Sequence, residues 1–185
     1  MASFKIAFVP HFLLLAFLLI LSPFFHNHSN LVAANTSLIQ FICQMTEAPQ
    51  TCAQCLAFDR GAEKAGKAGL VAILINCTSI HADELASNMS EIASGCDDQT
   101  EKSAFVECGK DYIVAKEELL VAIVMFKIGD FEKAQKCLSN ALYEYDQCQF
   151  RIQSYRDKIS AGVDYKARIY EQLCLAASKI LELFK

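Results

Sequence analysis

From Phe105 onward the apolar positions of this chain fall at Phe105, Cys108, Tyr112, Ala115, Leu119, Ala122 and Phe126, in alternating steps of three and four. Residues three and four apart share a helix face, so this spacing is one continuous stripe down a helix. After Gly129-Asp130 the same register restarts as Phe131, Ala134, Leu138, Ala141, Tyr145, Cys148 and Ile152. The pattern predicts two helices, over 105–127 and 131–152, folded back on each other at a turn near residue 128 or 129. A last helix follows a break around Gly162, with Ile169, Leu173, Ala176, Ile180 and Leu183 inward. An earlier one spans roughly Gly69 to Ala93, with Leu70, Ile73, Leu74, Cys77, Ile80, Leu85, Met89 and Ile92 inward. No stretch alternates with period two between hairpin turns, so no sheet is expected. The predicted fold class is all-α: an up-and-down four-helix bundle with short connections.

The N-terminus follows a different pattern. Phe12 to Leu21 is an unbroken apolar run of ten residues, preceded by the single charge of Lys5 and followed by His26, Asn27, His28 and Asn30. A bilayer span needs about 20 such residues. A basic start, a short apolar core and the small residues Val32, Ala33 and Ala34 fit a secretory signal peptide cleaved after Ala34. Residues 1–34 are therefore expected to be the leader. Residues 35–185 then form one domain, too short to divide into two ordinary ones. No second apolar run reaches membrane length, so the mature chain is expected to be exported and then soluble.

Export changes the meaning of the nine cysteines, because disulfides persist in oxidising compartments. Cys108 and Cys148 lie on facing stripes at nearly equal distances from the predicted turn, so register and face both point to a bridge between them. Cys43 and Cys52 flank a segment in which Pro49 ends one helix and turns the chain into a helical hairpin, where a local bridge would clamp an N-terminal arm. Packing the first and last long helices antiparallel would bring Cys77 near Cys174. Cys55, Cys96 and Cys137 are left without assigned partners, and an odd total leaves at least one thiol free or paired with another chain, which would give a disulfide-linked homodimer. Three N-x-[ST] sequons, at Asn35, Asn76 and Asn88, are N-glycosylation candidates in an exported chain.

Net charge is −4, and loss of Lys5 with the leader makes the domain one unit more acidic. Its lysines are scattered singly along the helices, so nucleic acid is not an expected partner. Gly61 to Lys67 fits G-x-x-x-x-G-K, but Ala68 stands where a phosphate loop carries Ser or Thr, and no strand precedes it. Cys52-Ala53-Gln54-Cys55 has redox-motif spacing without the strand–helix–strand surroundings of a redox site. Beyond the leader there is one histidine, His81, read as a helix-surface residue and too little for zinc or for a nucleophile's base. Asp83-Glu84 and Asp97-Asp98 are adjacent, and neighbours on a helix point in different directions, so neither supplies facing carboxylates. No enzyme active site, cofactor or metal site is expected.

The block Leu38-Ile39-Gln40-Phe41-Ile42-Cys43 through Thr46, Pro49 and Cys52 resembles the I-C-x-x-T-x-x-P-x-x-C hairpin of plant invertase and pectin methylesterase inhibitors. Cys108 to Ala115, then Gly129-Asp130-Phe131 with Ala134, and Leu138 to Leu142 on to Cys148, resemble that family's paired-helix core. The resemblance covers residues 36–184. It implies bridges Cys43–Cys52 and Cys108–Cys148, and a role as inhibitor of a cell-wall enzyme. Invertase inhibitors of the family often carry Pro-Lys-Phe at the turn between the core helices. Here Phe131 is kept, proline and lysine are absent, and Asp130 reverses the charge, which weighs against an invertase target; Asp130 and Phe131 are the implied target contacts.

The expected activity is stoichiometric inhibition of a pectin methylesterase or of a cell-wall or vacuolar invertase. The alternative is a noncatalytic extracellular binding or structural protein that affects neither enzyme. A lipid-carrying bundle is disfavoured, since the stripes are filled with bulky side chains that leave no systematic cavity.

Overall fold

The computed structural model describes residues 36–184; the expected leader, its cleavage point and Asn35 lie outside the described residues. Six α-helices follow in order: α1 (36–44), α2 (Pro49–Phe58), α3 (Lys67–Ser94), α4 (Gln99–Lys127), α5 (Phe131–Arg151) and α6 (Ala161–Leu181). No strand occurs among the described residues. Sequence neighbours pack side by side, α3 on α4, α4 on α5 and α5 on α6, and α6 closes the ring against α3. The fold is thus the all-α, up-and-down four-helix bundle, with α1 and α2 as a hairpin arm whose second helix rests on α3 and α6.

The helix ends follow from their residues. Asp98 starts α4 by accepting from the N–H groups of Thr100 and Glu101 at 2.9 and 2.8 Å, and Ser160 starts α6 by accepting from Val163 N at 3.3 Å. The break before α6 therefore falls at Ser160, and Gly162 lies inside its first turn. Pro49 occupies the opening turn of α2, where its missing N–H is harmless.

The α4–α5 turn is the tightest. Gly129 takes φ +83°, the left-handed conformation open to glycine. Its N–H bonds Phe126 O at 3.1 Å, and Asp130 N bonds Met125 O at 2.9 Å, the two bonds of a Schellman ending. The Asp130 carboxylate then accepts from Lys133 N at 3.0 Å and caps α5. Asp130→Ala is expected to destabilise the fold by about 1 kcal/mol, the usual loss for an N-cap. A urea midpoint shifted downward with an unchanged slope checks it.

Both stripes that define α4 and α5 face the core, from Phe105 through Phe126 and from Ala134 through Ile152. Gly109 faces α3, where a Cβ would stand 3.5 Å from Ala86 O and Met89 Cβ, an ordinary van der Waals contact. Deep in the bundle, the Tyr112 and Tyr170 rings meet edge-on at 5.7 Å, and Tyr145 lies 5.8 Å from Tyr170. Their hydroxyls are not stranded: Tyr170 donates to Ala141 O at 2.9 Å, Tyr145 donates to Glu171 at 3.2 Å, and Gln149 donates to Tyr112 at 3.4 Å. Asp111, also buried, meets Arg151 Nε at 2.8 Å and ties α4 to α5. Burial raises the Asp111 carboxyl pKa, and the Arg151 guanidinium draws it back.

The inner face of α3 differs from the pattern-based expectation. Ile80 is 53 % exposed, and Ile73, Cys77 and Ile92 are half-buried, while Val71, Ile75, Thr78, Ser79 and Ala82 fill the core. The two buried hydroxyls satisfy themselves on the helix backbone, Thr78 to Leu74 O and Ser79 to Asn76 O. Leu183 likewise is exposed, beyond the end of α6. His81 is half-buried beside the Lys166–Glu84 ion pair, not a plain surface residue, and burial holds its imidazole pKa below the ordinary value.

Candidate protein-docking face

The arm is built by its own cysteines. Cys43 on α1 is bridged to Cys52 on α2, and between them Thr46 donates its hydroxyl to Cys43 O at 2.8 Å, closing the turn. A second bridge, Cys55–Cys77, fixes α2 to α3, with Cα atoms 6.2 Å apart. The third, Cys108–Cys148, crosses from α4 to α5 inside the core. The expected Cys77–Cys174 pairing is not made. Cys77 sits on the α3 flank that meets α2, whereas Cys174 is buried on α6 with its thiol toward Leu138 O of α5 at 3.5 Å. Burial pushes the Cys174 thiol up to about 12, so it serves as an inert small hydrophobe.

Among the described residues, Cys96 and Cys137 are the other two unbridged cysteines. Cys137 is buried on α5, its pKa raised by burial and by the neighbouring Glu118 of α4. Cys96 is half-buried in the α3–α4 connection and donates to Glu101 at 3.2 Å. Asn76 is exposed on α3, while Asn88 is half-buried and donates to Glu84 O at 2.6 Å. Among the described residues no group of metal-ligating side chains gathers, and no helix is long and apolar enough to cross a membrane.

Phe131 is not a free probe at the α4–α5 turn. Its ring stands 5.5 Å from Phe126 and 5.7 Å from Phe184, and those two lie 5.1 Å apart edge-on, so three rings close this end of the bundle. Asp130 is exposed, with one carboxylate oxygen engaged as the α5 cap. The turn whose Asp130 and Phe131 the family resemblance implies as target contacts thus also holds two helices together.

The unexpected feature is the back of α4. Opposite the buried stripe, Val106, Ile113, Val114, Leu120, Val121, Val124 and Ile128 face solvent, with Ile113 48 % and Ile128 69 % exposed. Val106, Ile113 and Leu120 repeat every seven residues, as do Val114, Val121 and Ile128, so two rows each run about 21 Å along the helix on either side of a middle row of Lys110, Glu117 and Val124. Lys110 and Glu117 are the charged residues set among them, and Lys110 is held by Glu107 at 2.7 Å. A helix apolar on both faces is normally enclosed on both. Apolar residues gathered along one exposed helix face differ from the scattered single ones normal on a protein surface. Sequence reading found the inner stripe and passed over the outer one; the available signal was apolar residues in runs such as Tyr112-Ile113-Val114-Ala115 and Leu119 to Phe126, which exceed what one seam can use.

The chain is similar in fold to a crystal structure of a pectin methylesterase inhibitor from Arabidopsis thaliana, with TM-score 0.60 and 22 % identity over 80 % of this chain and 97 % of that one. It is also similar to a mutant form A of a pectin methylesterase inhibitor from Arabidopsis, with TM-score 0.65 and 22 % identity over 78 % and 95 % of the two chains. No curated protein matches the sequence. The profile of the family described as plant invertase/pectin methylesterase inhibitor matches residues 37–180, from the first helix of the arm almost to the end of α6. The chain belongs to the plant invertase/pectin methylesterase inhibitor family.

Proposed function

We propose that this protein is a secreted inhibitor of an apoplastic pectin methylesterase, acting by one-to-one complex formation through the outer face of α4. The observation that carries the reading is that face itself: two apolar rows left uncovered in a fold whose family consists of inhibitors. Burying them against an enzyme would remove a mid-sized apolar area from water without any chemistry by the inhibitor itself. Pectin methylesterase is preferred to invertase because the α4–α5 turn lacks the proline and lysine of the invertase-directed motif. Its Phe131 is also committed to the Phe126–Phe184 cluster.

The deciding experiment titrates the oxidised mature protein against a pectin methylesterase and a cell-wall invertase at mildly acidic pH. Activity of the esterase is expected to fall linearly to near zero at one equivalent, with invertase unaffected. Loss of invertase activity alone would overturn the target assignment. Retention of both activities would leave a noncatalytic binding role, with Cys96 as the half-buried thiol from which a linked dimer could form.

A further inference from the structure

The exposed apolar residues of α4 are not the only ones gathered in one place. Phe58, at the end of α2, is 89 % exposed, more than any other large apolar side chain among the described residues. It borders a shallow depression between α2 and α3 lined by Cys55, Asp59, Ile73, Asn76, Cys77 and Ile80. Ile73, Asn76 and Ile80 follow one another at helical steps of three and four, so the asparagine amide sits between two isoleucines on the same face. The Cys55–Cys77 bridge holds Phe58 beside them. The depression is mostly apolar, with the Asn76 amide and the Asp59 carboxylate as its polar groups.

Asn76-Cys77-Thr78 is an acceptor sequence for N-linked sugar. We propose that Asn76 carries an N-linked glycan and that its first sugars cover the Phe58–Ile73–Ile80 patch. The reaction joins the Asn76 amide nitrogen to the anomeric carbon of a lipid-diphosphate-linked oligosaccharide. The bond from that carbon to the diphosphate oxygen breaks, the lipid diphosphate leaves with the electron pair, and the amide loses one proton to base. The N-acetyl methyl group and the C–H face of the first sugar then lie against the Phe58 ring, whose face is the negative side of its quadrupole.

The fold accepts a glycan at this position and resists one at Asn88. Asn76 is exposed. The Asn88 amide is half-buried, spends a hydrogen on Glu84 O, and lies in a cleft against Ile92, Cys96 and Val163. Transfer to Asn76 must precede closure of α3, because the Thr78 hydroxyl is fully buried in the finished fold and bonded to Leu74 O at 2.9 Å. A glycan here stands on the α2–α3 flank, and α4 keeps its outer rows free for the partner.

The inference rests on the secretory part of the proposed function, and its test separates the two. The full chain and its Asn76→Gln and Asn88→Gln variants are expressed in a plant secretory host, and the medium is assayed for protein and for glycopeptides. Protein absent from the medium would count against secretion. Secreted protein whose Asn76 peptide is unmodified would overturn the glycan. The expected result is a glycopeptide at Asn76 in the parent and in Asn88→Gln, lost in Asn76→Gln. For the covering role, sugar-free parent protein refolded from bacteria should bind an apolar dye roughly twofold or more above the glycoprotein. Phe58→Ser should abolish that excess. Equal dye binding by the two forms would overturn the covering role.

Discussion

Replacing Ile113 with Glu and Leu120 with Lys together should weaken inhibition of a pectin methylesterase, the proposed target, by a factor of at least about 1,000, with the bundle still folded. Each substitution places a charge in the middle of the outer α4 rows, where a complex would have to desolvate it; central interface residues lose roughly 2 kcal/mol or more each when disrupted, and about 4 kcal/mol is three decades in affinity. The pair adds one negative and one positive charge, so net charge and electrostatic steering stay as they are, and the loss should appear in the dissociation rate. Both side chains are nearly half exposed in the free protein, so stability should move by no more than about 0.5 kcal/mol. Tyr165→Ser, on the outer surface of α6 across the bundle from α4, is the control and should leave inhibition within about twofold. Surface binding kinetics and a thermal melt on the same samples check both halves. A double variant that inhibits like the parent would remove α4 from the interface.

Those two residues also show where sequence reading stops. The inner stripe of α4 was legible because every member, from Phe105 to Phe126, is apolar and evenly spaced, and α5 repeats it after a turn whose Gly129-Asp130 signal is local chemistry. Ile113 and Leu120 are apolar too, and nothing local distinguishes a residue that faces the core from one that faces a partner; the same burial favours both. On α3 the ambiguity ran the other way. Thr78 and Ser79 are core residues disguised by hydroxyls that their own helix satisfies, and Ile73 and Ile80 flank the arm and not the bundle centre. Where α2 comes to rest depends on tertiary packing with α3 and α6, including the Thr51–Gln172 hydrogen bond of 2.7 Å across 121 residues of sequence. The Cys55–Cys77 pairing depends on that placement and had no signature in spacing. Cys108–Cys148 did, because antiparallel neighbours joined by a short turn fix which residues meet.

Removing the Cys108–Cys148 bridge by the paired change to Ala is expected to destabilise the fold by about 4 kcal/mol, the largest stability effect of any of the three bridges. The bridge closes a loop of 40 residues. In the chain-entropy view, a crosslink restricts the unfolded chain in proportion to the logarithm of that loop. The separations of 22 and 9 for Cys55–Cys77 and Cys43–Cys52 place their losses lower, at about 3.4 and about 2.6 kcal/mol. Location sharpens the ordering. Cys108 and Cys148 are fully buried between α4 and α5, so their removal also takes packed sulfur out of the core, and the whole bundle should melt earlier by roughly 8–16 °C. Opening Cys43–Cys52 should instead loosen the arm alone, seen as faster amide exchange over residues 36–58 before global unfolding. Alanine at both positions avoids leaving a reactive thiol or an unsatisfied hydroxyl in the core. If the Cys108–Cys148 variant melted within a degree or two of the parent, helix packing alone would be holding α4 and α5 together. The Asp111–Arg151 pair beside the bridge would then be the next contact to remove.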